Sequence, residues 1–522
     1  MNDEASQDAV FGFLADPATH DGAPVKRIDT HAAVIFLAGA RAFKVKRAVR
    51  FPFLDYSTLD RRKQACAAEL QINKPLAADI YRRVVPVTRA KDGTLALGGA
   101  GPAIEWAVEM RRFDENATLD HLSRASRLDA ELADALGRLV AAAQALFQSA
   151  PAGASEISPS RWIKELANYI EEHVAAFGEA PDLFPPARVE ALARACRAAH
   201  ARVLPLLIER GEHGLIRRIH GDLHLGNIVM LDDRPTLFDA VEFSALIATG
   251  DVLYDLAFLL MDLTERGLRQ AANTVLNRYL VETKRAEDLD GLAALPLYLS
   301  MRAAIRAKVA AARLRYSAAD ERPAITATAR KYFDFACRFI EPGPAVLLAV
   351  GGLSGTGKSV LARAMAADLE PAPGAVVLRS DMERKALLGG NEDESLPDAA
   401  YAPQVTARVF ASLADKARRA LAAGHSAIVD AVFSKPGERT LMERSAAALG
   451  VPFHGLFLHT DLGTRIARVG GRGHDASDAD AEIARRQESY DIGALAWARI
   501  DASGSPEETL AHARAALRSK GS

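Results

Sequence analysis

The chain has 522 residues, 49% hydrophobic and 25% charged, the balance of a water-soluble globular protein and too long for one core. A formal net charge of -2 and a pI near 6.7 exclude a global basic field for nucleic acid. Cys66, Cys196 and Cys337 form no CxxC or disulfide pattern, the start "MNDEASQDAVFGFLADP" is no signal peptide, and no apolar run of ~18 residues offers a membrane span, so the expected setting is cytoplasmic.

Residues 1–115 read as mixed strand and short helix. "AAVIFLAGARAFKVKRAV" predicts two strands around a glycine turn, and "LDRRKQACAAELQINKPLA" predicts a helix with Leu59, Cys66 and Leu70 on one side. "YRRVVPVTRAKDGTLALGG" and "AIEWAVEMRRF" return to strand. From about residue 116 the pattern is helical, broken by one strand-and-loop island over 219–243. The expectation is a first domain over 1–340, with a small lobe over about 25–115 and a large helical lobe over about 116–340. Pro342 and Pro344 flank Gly343 and mark a linker over 341–344. Residues 345–522 then alternate: a strand at "AVLLAVGG", helix 358–369, strand "AVVLRSD", helix 402–423, strand "HSAIVDAVF", helix 436–449, strand "FHGLFLHTD", helix 461–470. That alternation predicts an α/β domain with a parallel sheet.

The island "IHGDLHLGNIVMLDDRPTLFDAVEF" places Asp222 and Asn227 five positions apart in a loop, with Asp239 at the end of an apolar strand. Phosphoryl transfer to a hydroxyl needs a carboxylate to orient the acceptor O–H and hard oxygen ligands for Mg²⁺. Asp222 suits the first role; Asn227 and Asp239 suit the second. The set, with "GDVLYDLAFLL" downstream, resembles the aminoglycoside phosphotransferase and choline-kinase branch of the protein-kinase-like fold over roughly residues 25–340. Ala240-Val241 after Asp239 favours that small-molecule branch. The resemblance implies an α+β two-lobed domain, with Asp251 supporting the catalytic loop and Asp255 structural. It also implies a strand lysine held by a helix glutamate. Lys44 and Lys46 alternate with Phe43 and Val45 and so face one side of their strand. Ala42-Phe43-Lys44 matches the kinase Ala-x-Lys pattern and favours Lys44, Lys46 is the rival, and Glu69 is the expected partner. "EMRRF" would be the hinge that meets adenine.

"GGLSGTGKS" fits GxxxxGK[ST], with Gly352, Ser354, Gly355, Thr356, Gly357, Lys358 and Ser359, between an apolar strand and a helix. Backbone N–H groups there turn onto phosphates, Lys358 reaches the β- and γ-oxygens, and Ser359 binds Mg²⁺. Asp430 in "SAIVDAVF" supplies the second metal-side group. Ala431 follows where a hydrolase often has Glu, which favours transfer over hydrolysis. Asp381 and Arg384 in "RSDMER" share one face of a first helical turn, Asp381 to orient an acceptor hydroxyl and Arg384 to hold an anionic part of it; an N-cap is the plain alternative. This half resembles the P-loop kinases that include polynucleotide 5'-kinases, zeta toxins and chloramphenicol phosphotransferase. By that resemblance Arg468 and Arg472 cover the transferring phosphate as a lid, with Arg465 equally readable as a solvated position. Gln487 is typical of the group without a derivable role.

The whole order resembles a bacterial fusion of an aminoglycoside-phosphotransferase-like kinase with a C-terminal P-loop kinase. It implies an ATP-dependent phosphotransferase with two sites, using ATP (GTP is the alternative) and Mg²⁺ on a small-molecule or nucleotide acceptor. A nucleotide-sensing or toxin-like protein in which one domain controls the other, or a P-loop ATPase, is the competing reading. "MRAAIRAKVAAARLR", with Arg302, Arg306 and Lys308, is a solvated face or a surface for an anionic acceptor. The sequence does not fix the acceptors or the oligomeric state.

Overall fold

The computed structural model describes residues 3–51, 54–149, 157–470, 477 and 480–519. By contact the chain forms two compact units, Met1–Leu166 with Ile208–Asp262, and Ala167–Leu207 with Leu263–Ser522. The helices over 167–207 and 263–340 therefore group with the C-terminal half.

In the first unit, β1 (Val25–Asp29), β2 (Ala33–Ala38), β3 (Arg41–Lys46), β4 (Tyr81–Arg89), β5 (Leu95–Leu97) and β6 (Ala103–Arg111) form an antiparallel sheet in the order β1-β2-β3-β6-β4-β5. Gly39 and Ala40 close the β2–β3 hairpin, with Ala38 paired to Arg41 and Gly39 at φ 54°. Strand alternation splits the residues of β3. Phe43 and Val45 pack with Val34, Phe36 and Val10, Phe11 and Leu14 of α1 (Asp3–Ala15). Lys44 and Lys46 turn to the opposite face, toward α2 (Leu59–Asn73). α1 had no signal in the sequence beyond its acidic start. It is tied to the lysine strand by Gln7, whose Nε2 donates to the Lys46 carbonyl at 2.9 Å and whose Oε1 accepts from the Ala48 N–H at 2.8 Å.

Downstream in the same unit, β7 (Ile216–Arg218) pairs with β10 (Thr249–Asp251), and β8 (Ile228–Leu231) pairs with β9 (Arg234–Leu237). Helix α3 (Val252–Glu265) follows. The 222–227 loop and the 238–242 segment lie between these short pairs.

In the second unit, α4 (Arg269–Thr283), α5 (Leu295–Arg313) and α6 (Arg322–Ile340) precede the sheet. The basic face expected on α5 does not form: Arg302 is buried, Arg306 stacks over the Tyr332 ring at 5.5 Å, and Lys308 pairs with Glu172 at 3.8 Å. Five parallel strands follow, β11 (Leu347–Gly352), β12 (Val376–Arg379), β13 (Ala427–Asp430), β14 (Phe453–His459) and β15 (Ala498–Asp501), in the order β12-β13-β11-β14-β15. Leu348, Val350, Ile428, Leu456 and Leu458 pack against Leu361, Ala362 and Met365 of α7 (Lys358–Ala366). β15 was not expected from sequence: it is four residues long, and of its side chains Ile500 is buried and only the small Ala498 packs beside it on the core. Helix α8 (Ser380–Leu387) follows β12. Among the described residues no helix is long and apolar enough to cross a membrane.

Candidate functional site

Lys44 of β3 bridges two carboxylates: its Nζ lies 2.9 Å from Glu69 Oε1 and 2.6 Å from Asp239 Oδ1. Lys46 Nζ takes the other oxygen of Glu69 at 2.5 Å and also meets Glu242, whose carboxylate accepts from the Tyr56 hydroxyl at 3.0 Å. The two rival lysines thus share one fully buried glutamate, and of these two only Lys44 extends to Asp239. Burial alone would lower the Lys44 ammonium's pKa; the carboxylates of Asp239 and Glu69 outweigh it and hold it well above the ordinary lysine range. Burial pushes the Glu69 carboxyl up, but Lys44 and Lys46 overcome it and bring it down to about 2. Both groups are therefore ionised at neutral pH.

Asp239 has φ 61°, the left-handed region that non-glycine residues seldom adopt. Its N–H donates to the Tyr81 hydroxyl at 3.1 Å. Asn73 of α2 brackets the next peptide, accepting from the Ala240 N–H at 2.7 Å and donating to the Ala240 carbonyl at 3.1 Å. The helix that carries Glu69 thus also fixes the turn that carries Asp239. Glu242, Tyr56, Tyr81 and Asn73 were missed by sequence reasoning; only Glu242, inside the quoted "DAVEF", was within reach of a motif argument.

In the loop, Asn227 Nδ2 donates to the Asp222 carbonyl and to Asp222 Oδ2, both at 2.9 Å. His224 Nδ1 accepts from the Gly226 N–H at 3.0 Å, which leaves the proton on Nε2, 3.5 Å from Asp222 Oδ2. His220 donates from Nε2 to the Phe238 carbonyl at 3.0 Å, and burial pushes its imidazole below the usual range, so it is neutral. The two downstream aspartates exchange their expected parts. Asp255 supports the loop, accepting from the N–H groups of His220 at 3.1 Å and Gly221 at 3.0 Å. Asp251 instead pairs with buried Arg210, at 2.7 Å to each oxygen. The expected hinge is closed on one side: the N–H groups of Arg111 and Arg112 donate to the Ile80 and Ala40 carbonyls.

At the second site, Gly352, Gly355 and Gly357 have φ 141°, 88° and 89°. A Cβ on Gly355 would stand 2.5 Å from the Arg465 carbonyl oxygen, so both space and backbone require glycine there. Lys358 Nζ lies over the loop, 3.2 Å from the Leu353 carbonyl, Thr356 Oγ1 donates to the same carbonyl at 2.8 Å, and the Ser359 hydroxyl donates to Asp430. Gln487 acquires a role here. It accepts from the Ser354 N–H at 2.7 Å and donates to Ser354 Oγ at 2.9 Å. Arg465 is 1% exposed, not solvated, and donates to the Ser354 carbonyl at 2.8 Å. Arg379, missed from sequence, stands at the end of β12 with Nε 3.6 Å from Asp430 Oδ2. Burial, then the Asp430 charge, raise the Asp381 carboxyl's pKa, while Arg379 and Lys358 pull it down. Asp381, Asp430, Arg379 and Lys358 thus share one field at the carboxyl ends of the strands, where α/β sheets bind ligands.

Two expected arginines go elsewhere. Arg384 is buried over the Tyr401 ring at 4.8 Å and donates to the Ala400 carbonyl at 2.7 Å, so it packs the segment after α8 instead of presenting charge to an acceptor. Arg468 donates to the Ala502 and Gly504 carbonyls, each at 2.7 Å, and among the described residues none of its hydrogen bonds reaches the loop. Arg472 lies outside the described residues.

Residues 39–295 match the model described as "Phosphotransferase enzyme family", and residues 347–490 match the one described as "AAA domain". Uncharacterised proteins of Mycobacterium tuberculosis and Mycobacterium bovis are each 30% identical over 498 residues, covering 93% of this chain and 94% of theirs. The chain belongs to their family, a phosphotransferase-family kinase domain joined to a C-terminal P-loop kinase domain. Similar solved structures include a choline/ethanolamine kinase family protein from Mesorhizobium loti, 15% identical, TM-score 0.37, over 64% of this chain and 95% of that one. A gluconokinase from Sinorhizobium meliloti 1021 is 21% identical, TM-score 0.25, over 34% of this chain and 93% of that one. As a member of this family the chain is an ATP-binding protein of the phosphotransferase class.

Proposed function

We propose that the chain is a bifunctional ATP-dependent kinase, with one site in residues 1–340 and one in 345–522, each transferring a phosphoryl group to a hydroxyl of a small molecule or nucleotide. The observation that carries this is Lys44 bridging Glu69 and Asp239, beside a loop in which Asn227 holds Asp222. An ATP-binding fold used only as a sensor has no need of an oriented carboxylate opposite the phosphate-binding lysine.

The residues present fit Mg²⁺. Asn227 commits its N–H group to Asp222, so its carbonyl oxygen is what it offers a cation, and Asp239 keeps a carboxylate that is 41% exposed beyond its bond to Lys44. At the second site, Ser359 and Asp430 are already joined. Among the described residues there is no cluster of three or more His, Cys, Asp or Glu that would hold a metal alone. Two protein oxygens completed by nucleotide phosphates suit Mg²⁺, which would supply charge neutralisation on those phosphates. Asp222 accepts the proton of the acceptor hydroxyl, that oxygen bonds to the γ-phosphorus, and the bond from phosphorus to the β-phosphate oxygen breaks, releasing ADP. Lys44, fixed by Glu69, holds the phosphates in register. Asp381 has the corresponding proton-accepting place at the P-loop, and its raised pKa makes it a stronger base than an exposed aspartate.

The test is ATP consumption by the full chain, by Asp222→Ala and by Lys358→Ala, screened against nucleosides, nucleotides, sugars and aminoglycosides. Acceptor-dependent turnover that each variant removes in part supports two kinase sites. ATP hydrolysis that ignores every acceptor makes the P-loop half an ATPase or switch instead.

A further inference from the structure

Helix α4 lies inside the segment that matches the phosphotransferase family, yet its side chains bond to the edge strand of the P-loop sheet. β12 is an edge strand, with β13 on one side only. The Val376 N–H turns inward to the Ser426 carbonyl at 2.9 Å, so the Val377 N–H turns outward. There Asn277 Oδ1 accepts from it at 2.6 Å, and Asn277 Nδ2 donates to the Ala375 carbonyl at 3.1 Å. One carboxamide thus satisfies the outward N–H and C=O that a neighbouring strand would otherwise take. Asn273, 2% exposed, donates to the same Ala375 carbonyl at 3.0 Å.

Two further features show that this contact is built. Gly374 has φ 118°, and a Cβ there would collide with the Ala366 carbonyl oxygen and come within 2.8 Å of Asn273 Nδ2, so glycine admits both the end of α7 and the asparagine. Arg278, one residue along α4, pairs with Glu392 at 2.6 Å, and the Glu392 carbonyl accepts from Lys385 of α8 at 2.8 Å. β12 ends at Arg379, and Asp381 stands in the first turn of α8. The strand gripped by Asn277 and the segment gripped by Arg278 therefore flank the proposed acceptor base.

We propose that α4 acts as a surrogate edge strand for the P-loop domain, and that this docking positions Arg379 and Asp381 on the acceptor side. The positional consequence rests on the reading of Asp381 given above; the docking does not. In the full chain, Asn277→Ala should speed amide exchange at Val377 about tenfold, the loss expected for one buried hydrogen-bond acceptor. Nucleotide-analogue affinity should stay within about twofold, because Lys358 and Ser359 are not touched. Acceptor-dependent turnover at the P-loop site, isolated in an Asp222→Ala background, should fall with a raised acceptor KM. Asn277→Asp, which keeps the acceptor oxygen for Val377, should restore part of the exchange protection. Arg278→Ala, a milder change, should speed exchange over 388–394. Unchanged exchange at Val377 in Asn277→Ala overturns the docking. Fast exchange with unchanged acceptor KM overturns the positioning role, whereas a P-loop half that turns over no acceptor at all overturns the kinase reading and leaves the exchange result standing.

Discussion

At the scale of single residues, the first site divides its two lysines by what lies beyond Glu69. Lys44 continues to Asp239; Lys46 continues to Glu242 and Tyr56. Lys44→Met should abolish turnover at that site with the fold retained. Lys46→Met should instead lower thermal stability, because it leaves Glu69 and Glu242 buried with one partner fewer. Kinetics and thermal melts on both variants separate the two roles, and equal effects on turnover and melting would contradict them. Asn227 holds one oxygen of Asp222 at 2.9 Å and His224 Nε2 stands 3.5 Å from the same oxygen, which restricts the rotation of that carboxylate. His224→Ala should therefore cost about tenfold in kcat with ATP binding unchanged, against several orders of magnitude for Asp222→Ala. At the P-loop, Asp381→Asn should cost about 10²–10⁴-fold in transfer and little in nucleotide affinity. A base must be deprotonated to act, and burial beside Asp430 raises its pKa, so the acid limb of the pH profile should lie above that of an ordinary carboxylate. Arg379→Met removes a charge that lowers that pKa and should move the limb further up.

At the scale of elements, the loops are held by groups outside the motifs. Gly355→Ala would press a methyl group on the Arg465 carbonyl at a φ of 88°, so nucleotide binding at the P-loop should be lost while the sheet still folds. Calorimetry with an ATP analogue, alongside circular dichroism, reads both halves of that statement. His425, just before β13, is fully buried, with one ring nitrogen 2.8 Å from the Gly374 carbonyl. Burial lowers its imidazole to about 4, with the Gly374 carbonyl pulling the other way. The unfolded chain takes up that proton first as pH falls, so the neutral histidine's stability is present above about 6.5 and is lost progressively toward about 4. The effect amounts to roughly 3 kcal/mol across that window. Denaturation of wild type and His425→Leu at pH 7 and pH 4.5 checks this: the wild type should lose more stability than the variant on acidification.

For the whole molecule, Lys358→Ala should abolish P-loop activity and leave the activity that depends on Asp222. The contact grouping, with 263–340 on the side of the P-loop sheet, also bears on how the chain tolerates cutting. A fragment of residues 345–522 would expose the outward edge of β12, so it should aggregate or melt earlier than one beginning near 263. Matched melts of the two fragments test this.

The positions proposed to carry the chemistry were legible in the sequence where their spacing is local. Asp222, Asn227 and Asp239 lie in one short island, and Gly352 to Ser359 form a contiguous loop, because a phosphate or a metal must be met by groups that a single turn can present. Most of the order of elements was legible too, since hydrophobic periods of two and of three to four residues report strands and helices directly, though α1 and the short β15 were not. Which residues hold those groups in place shows only once the chain is folded. Glu69 meets both lysines across the gap between a strand and a helix, Asn73 grips Ala240 from 167 positions away, and Gln487 grips Ser354 from 133. Such pairings have no period and no fixed spacing. The exchange of parts between Asp251 and Asp255 has the same cause: the two stand four residues apart, and only burial beside Arg210 on one side and the 220–221 amides on the other tells them apart. Arg384 and Arg468 show the converse: expected at the anionic part of an acceptor and at the transferring phosphate, both donate instead to nearby carbonyls, and buried Arg384 also lies over an aromatic ring, because a buried guanidinium must find its acceptors.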